Sequence, residues 1–184
     1  MTDTAHQIDN TLWCEVARSR PLALLLDLDG TLVPFARTAE EAVLDAEAVS
    51  LLDALHEIGV QVVIVTGRTQ ALVNTLRPLA RHAWWVAEHG AWCHAGDAWV
   101  GPPPATELDG LIAGLGRLPA IPGIRLEPKS LSVCVHWRQV VPEQRKAAIT
   151  AIELTCDEWL EEQPDYERLA GVECLEVRQR SAHK

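Results

Sequence analysis

Two carboxylates stand two residues apart in the stretch Asp27-Leu-Asp-Gly-Thr31, directly after a run of apolar residues. On an extended segment leaving a strand, side chains at i and i+2 project to the same side, so Asp27 and Asp29 can enter one crevice. Gly30 lets the chain turn away sharply and lets its backbone approach a ligand. Paired carboxylates suit magnesium, which prefers hard oxygen donors. With magnesium and a phosphoryl group in that crevice, one carboxylate can attack phosphorus while the other hands a proton to the leaving oxygen. A second candidate is Thr66-Gly-Arg68, which also follows an apolar run. The Thr66 hydroxyl there is either a helix N-cap or a phosphate ligand, since a helix N-terminus itself attracts phosphate.

Three plainer readings of the paired carboxylates fail on the sequence. A calcium loop opening at Asp27 would carry Thr38, not Glu, at its twelfth position, and the segment before it is strand-like. An ordinary Asp-Gly turn needs neither the first Asp nor the Thr. A dinucleotide site needs GxGxxG, which is absent from the chain.

The elements that must position these residues follow from hydrophobic spacing. Residues 22–26 form a short continuous apolar run, expected as a strand buried on both faces. Residues 42–58 carry Val43, Leu44, Ala48, Leu51, Leu52, Leu55 and Ile58 at helical spacing, ending at Gly59. A second buried strand is expected at 60–65, a helix at 69–79 and a short strand at 84–87. Strand, helix, strand, helix, strand is the pattern of a doubly wound α/β sheet, whose ligands sit at the carboxyl ends of the strands. Those ends are Asp27, Thr66-Gly-Arg68 and Glu88-His-Gly90.

The texture changes after Trp92. Gly101-Pro-Pro-Pro104 reads as a stiff turn or linker, and residues 107–118 as a helix weakened by Gly110, Gly114 and Gly116. Residues 130–138 alternate: Leu131, Val133, Val135 and Trp137 on one side, Ser132, Cys134, His136 and Arg138 on the other. That pattern predicts an antiparallel strand with one covered and one polar face. An amphipathic helix at 144–160 and a strand at 172–177 complete an α+β insert. The expected division is 1–96 for the first part of the core, 97–177 for the insert and 178–184 for a return to the core.

The chain has 184 residues, with 16 Lys and Arg against 26 Asp and Glu, a formal charge of -10. That balance argues against nucleic acid and anionic membrane surfaces as partners. Cys14, Cys93, Cys134, Cys156 and Cys174 form no CxxC pair, so neither a zinc site nor a disulfide framework is expected. His56, His82 and His94 read as ordinary helix or loop histidines. Residues 1–20 lack the apolar core of a signal peptide, and no apolar run approaches the roughly 20 residues a membrane span needs. A cytoplasmic location is expected.

Asp27-Leu-Asp-Gly-Thr31 resembles the first motif of the haloacid-dehalogenase-like phosphatase superfamily, and Thr66-Gly-Arg68 its second. The stretches Val65-Thr-Gly-Arg68, Ala87-Glu-His-Gly-Ala91, Glu127-Pro-Lys-Ser-Leu-Ser-Val-Cys-Val-His-Trp-Arg138 and Leu175-Glu-Val-Arg178 together resemble trehalose-6-phosphate phosphatases, in that family's order. The resemblance implies a Rossmann-like core with an inserted α/β cap. It implies Asp27 as nucleophile and Asp29 as general acid/base. Magnesium would be held by the Asp27 carboxylate, the Asp29 backbone carbonyl and a distal acidic residue. Thr66, Gly67, Arg68 and Lys184 would bind the phosphoryl end. His89, Lys129, Arg138 and Glu176 would bind the sugar, and the role of Arg68 stays open between assistance and structure. The family continues with a helix, a strand ending in Gly-Asp-Asp and a final strand. Lys184 is the last residue here, so the resemblance implies an incomplete core, with the missing C-terminal segment as a partner in trans.

Overall fold

The structure, a computed structural model, describes residues 10–181. After a short helix α1 (Asn10–Arg18), which the sequence reading did not anticipate, the chain enters β1 (Leu22–Asp27). It continues through α2 (Ala46–Glu57), β2 (Val60–Val65), α3 (Gln70–Leu76) and β3 (Trp84–Ala87). The three strands are parallel and adjacent, with Asp27 level with Val65 and Val65 level with Val86. All three therefore run out on one line, which brings the Asp27 turn, the Thr66 turn and the segment after Ala87 to the same edge of the sheet. A hairpin of β4 (Trp92–His94) and β5 (Trp99–Val100) extends this sheet antiparallel to β3. The first sheet thus reaches past residue 96.

Both helical crossovers pack on one face of the sheet. Leu52 of α2 and Val73 and Leu76 of α3 share a core with Val62, Ile64 and Trp85. Asp45 caps α2, accepting from the Ala48 amide at 2.8 Å, and Thr69 caps α3, accepting from Leu72 at 3.3 Å. Asp45 and Thr69 are typical N-cap residues, which satisfy amides that the helix itself leaves unpaired. Leu51 and Ile58, expected on the packed stripe of α2, are instead exposed. The stripe that packs is Ala48, Val49, Leu52 and Leu55.

The expected two-sided burial of the first strand does not hold. Along β1 burial alternates, and Leu25 is 70% exposed. Leu25, Val63 and Trp84 lie in one row on the face away from the helices. Among the described residues β1 pairs only with β2, leaving one strand edge and an apolar side chain open. Such edges template unwanted pairing. Leu25→Thr is expected to slow light-scattering aggregation at least about twofold while changing stability by less than about 0.5 kcal/mol. An unchanged rate would show that this edge is not the aggregating surface.

The second sheet has the order β6-β7-β9-β8, from β6 (Arg125–Pro128), β7 (Ser132–His136), β8 (Tyr166–Gly171) and β9 (Cys174–Gln179), all antiparallel. Helices α4 (Leu108–Gly116) and α5 (Pro142–Leu160) cover one face. Leu108, Leu111, Ile152 and Cys156 pack there against Val133, Val135, Leu175 and Val177. The alternation read at 131–138 is realised: the Val133 and Val135 side is core, and the Cys134 and His136 side is turned to a cleft. No described helix is long and apolar enough to cross a membrane.

Candidate active site

The turn after β1 is drawn tight by Gly30, at φ 84°, whose amide donates to the Val33 carbonyl at 2.8 Å. The Leu32 and Val33 amides both donate to the Leu28 carbonyl at 3.0 Å. Leu28 itself is fully buried and anchors this turn, so Asp27 and Asp29 flank a fixed point and both line the cleft.

Arg68 reaches Asp29 with two bonds, Nη2 to Oδ1 at 2.8 Å and Nε to Oδ2 at 3.2 Å. Its side chain is only 5% exposed. A two-point fork of this kind fixes the orientation of a carboxylate as well as pairing its charge. Arg68 is thus a positioning residue for Asp29, a role the sequence left open. Thr66 is buried, and its Oγ1 accepts from the Arg68 amide at 3.1 Å. It does not cap α3, since Thr69 does. Thr66 does not itself line the cleft, and through this bond it shapes the turn that carries Gly67 and Arg68.

Beyond β3 the backbone enters the left-handed region at three successive residues: Glu88 at φ 51°, His89 at 57° and Gly90 at 111°. Non-glycine residues are held there at a cost, and such strain gathers at functional sites. Two amide bonds hold the segment down, Glu88 donating to the Arg68 carbonyl and His89 to the Thr66 carbonyl, each at 3.0 Å. The His89 ring then lies so close to Gly67 that a Cβ there would overlap it. Gly67→Ala is expected to lower stability by about 1–2 kcal/mol through overpacking. Gly67→Ala/His89→Ala is expected to regain most of that loss, read as a coupling in thermal melts of the double-mutant cycle. Simple additivity would sink the claimed contact.

Glu88, which the sequence offered only as a strand end, ties the two sheets together. Its Oε1 accepts from the Gln70 amide at the start of α3, at 3.4 Å, and its Oε2 from the Ser130 amide at 2.7 Å. The Ser130 hydroxyl accepts in turn from Trp92 Nε1 at 2.7 Å. No motif signals these contacts, because their partners lie far apart in sequence.

The polar side of the second sheet faces Asp27 and Asp29 across a cleft of about 550 Å³. Lys129, 7% exposed, sits 3.6 Å from Glu176 and 4.0 Å from Glu127. Glu176 also accepts from the Ser132 hydroxyl at 2.6 Å. Burial pushes the Glu176 carboxyl up, but Lys129, Ser132 and His89 together hold it below its ordinary value. Glu127 behaves alike: burial opposes ionisation, and His136, 2.9 Å away, with Lys129 and Arg125, brings the net shift downward. Burial pushes the neighbouring Cys134 thiol well up. Arg138 lines the cleft further out and is tied to Glu173 at 3.1 Å.

Of the residues singled out in the sequence, Asp27, Asp29, Gly67, Arg68 and His89 line the core side of this cleft. Lys129, Arg138 and Glu176 line the opposite side. Lys184 lies outside the described residues.

The family model described as trehalose-phosphatase matches residues 25–184. A sequence search of curated proteins found no match. Among solved structures, the C-terminal domain of C. albicans trehalose-6-phosphate phosphatase superposes with a TM-score of 0.81 at 22% identity, covering 96% of this chain and 63% of that one. Aspergillus fumigatus trehalose-6-phosphate phosphatase gives 0.55 at 21% identity, covering 92% and 65%. The C-terminal domain of a Candida albicans trehalose synthase regulatory protein gives 0.64 at 13% identity, covering 92% and 60%. The chain therefore spans somewhat less than two thirds of each of these relatives, and at such identities the likeness concerns the fold.

Proposed function

This chain belongs to the trehalose-phosphatase family, and we propose on that footing that it carries the nucleophile and sugar lid of a phosphatase acting on trehalose 6-phosphate, a small-molecule partner met in the cytoplasm. The reading rests above all on one juxtaposition: Asp27 and an Asp29 held by Arg68 share a cleft with the Lys129 and Glu176 face of the second sheet.

In this reading Asp27 attacks phosphorus in line. The new bond is Asp27 oxygen to phosphorus, the bond that breaks is phosphorus to the sugar oxygen, and Asp29 gives that oxygen its proton. Water then attacks the aspartyl phosphate, Asp29 takes a proton from it, and phosphate leaves with Asp27 restored. To carry that proton Asp29 gives up one of its two Arg68 bonds, and the other keeps the carboxyl oriented. Both Asp29 carboxylate oxygens are engaged by Arg68, so the donors that fit a hard cation here are the Asp27 carboxylate and the Asp29 backbone carbonyl. Magnesium bound there would supply positive charge against the phosphoryl oxygens. The second sheet with α4 and α5 acts as the lid, in which Lys129 and Glu176 offer a charged donor and acceptor to sugar hydroxyls, with Arg138 further out and His89 facing it from the core side.

The test is phosphate release from trehalose 6-phosphate in magnesium, against glucose 6-phosphate and sucrose 6-phosphate at matched concentration. A preference of at least about tenfold for the trehalose ester is expected, the scale set by a few differing hydroxyl contacts. Equal rates would overturn the lid reading and keep the core reading. The fold is also carried by a protein named as regulatory, so sugar-phosphate binding without turnover at saturating magnesium would favour a binding subunit instead.

A further inference from the structure

The sequence offered no metal spacing among its cysteines, yet the second sheet assembles one. His136 on β7 pairs directly with Cys174 on β9, and Cys134 lies two residues before His136 on the same face. One ligand atom from each, the two Sγ atoms and a ring nitrogen, all lie within 4.8 Å of one another. Tetrahedral zinc with metal–sulfur bonds of about 2.3 Å places its ligands roughly 3.5–3.8 Å apart, so closing this set needs shifts of only about 1 Å. Two further features suit a metal. Glu127 holds the Nε2 of His136 at 2.9 Å, the kind of carboxylate pairing that fixes the ring of a metal-ligating histidine. Gly171, opposite Cys174 on β8, has no Cβ, and one there would overlap the Cys174 sulfur. Both cysteines are free thiols.

We propose that Cys134, His136 and Cys174 form a thiolate–imidazole site for a soft divalent ion of the zinc class, on the cleft-facing side of the second sheet. The donors are two sulfurs and a nitrogen, a set unlike the all-oxygen donors at Asp27 and Asp29, so the two ends of the cleft sort metals by softness. Three protein ligands leave a fourth position, and the cleft is where it opens. Binding releases the two thiol protons to solvent and changes no oxidation state. Whether the ion obstructs the sugar rests on the phosphatase reading; whether it binds does not.

The test uses reduced, chelator-stripped chain titrated with cobalt(II), a spectroscopic stand-in for zinc, and then with zinc in competition. A sulfur-to-cobalt charge-transfer band saturating at one equivalent is expected, bleached by zinc. Cys174→Ala and Cys134→Ser should each weaken binding by about 100-fold or more, and Glu127→Gln by about tenfold with the band retained, as loss of a ligand and of its supporting shell would. Cys14→Ser/Cys93→Ser, which removes the two exposed thiols, should leave the titration unchanged. No band in the unaltered reduced chain would overturn the site whatever the variants do. So would a band that survives Cys174→Ala or disappears with Cys14 and Cys93.

Discussion

Asp27→Asn is expected to cut phosphate release by about a thousandfold or more while leaving the melting curve in place. The asparagine is the same size, and Asp27 stands exposed at the end of β1 rather than in the core. What it removes is chemical: an amide oxygen is a poor nucleophile toward phosphorus, and the charge that would meet a divalent cation is gone. Asp29→Asn should look different. In the proposed mechanism it removes the proton donor, worth about 10²–10⁴-fold, and it also strips Arg68, 5% exposed, of its carboxylate partner. Leaving a buried guanidinium without its countercharge should cost stability as well, on the order of 2–3 kcal/mol after allowing for the 36% exposure of Asp29. The pair of variants therefore separates nucleophile from acid by a melt as much as by a rate. The assay belongs in this chain and in the longest polypeptide that carries it. A residual rate above about a tenth for Asp27→Asn would mean that another group attacks phosphorus.

The placement of Asp27 and Asp29 at one cleft was legible because local rules suffice: a strand delivers the pair to one side and Gly30 turns the chain away. The strand at 131–138 was legible for the same reason, since alternation alone names both faces. The misread elements are those decided by neighbours. A run such as Leu24-Leu-Leu26 cannot say whether both faces of its strand are covered, so Leu25, on the face away from α2 and α3, looked buried and is exposed. Helix α4 forms in spite of three glycines because Leu108, Leu111 and Leu115 are all buried against the second sheet. Strand β8 has little apolar alternation to announce it. It is held by pairing with β9 and by charge, with Glu167 bonded to Arg178 at 2.9 Å and Arg168 to Asp157 at 3.1 Å.

The same contrast separates the functional groups. Arg68 was visible as part of a motif, but only its fork on Asp29 assigns it a task. Glu88 binds Ser130 across 42 positions, and Cys174 meets His136 across a strand pair. Neither proximity has a sequence signature, because antiparallel register, not spacing, creates it.

Lys129→Met is expected to be the most destabilising change on the cleft surface, by about 3 kcal/mol near neutral pH, or a fall in Tm of roughly 10 °C. Methionine keeps most of the aliphatic stem, so packing is largely preserved and the loss is the ammonium. Its removal leaves Glu127 and Glu176, 15% and 16% exposed, facing each other's field without their shared cation. The pH dependence identifies this cause. In the unaltered protein both carboxyls are held below their ordinary value of 4.5. Groups depressed on folding stabilise the native state above that value, and the contribution is lost as pH falls through the depressed one. Without Lys129 burial has less to oppose it, so the carboxyls of the variant bind protons more readily. The stability gap between the two proteins should therefore be widest at neutral pH and narrow as pH falls through 4.5 and below. Lys129→Arg, which restores the charge, should recover part of the loss. If Lys129 serves only to contact sugar, Lys129→Met will raise KM with an unchanged melt at every pH, and the buried-triad account of this face fails.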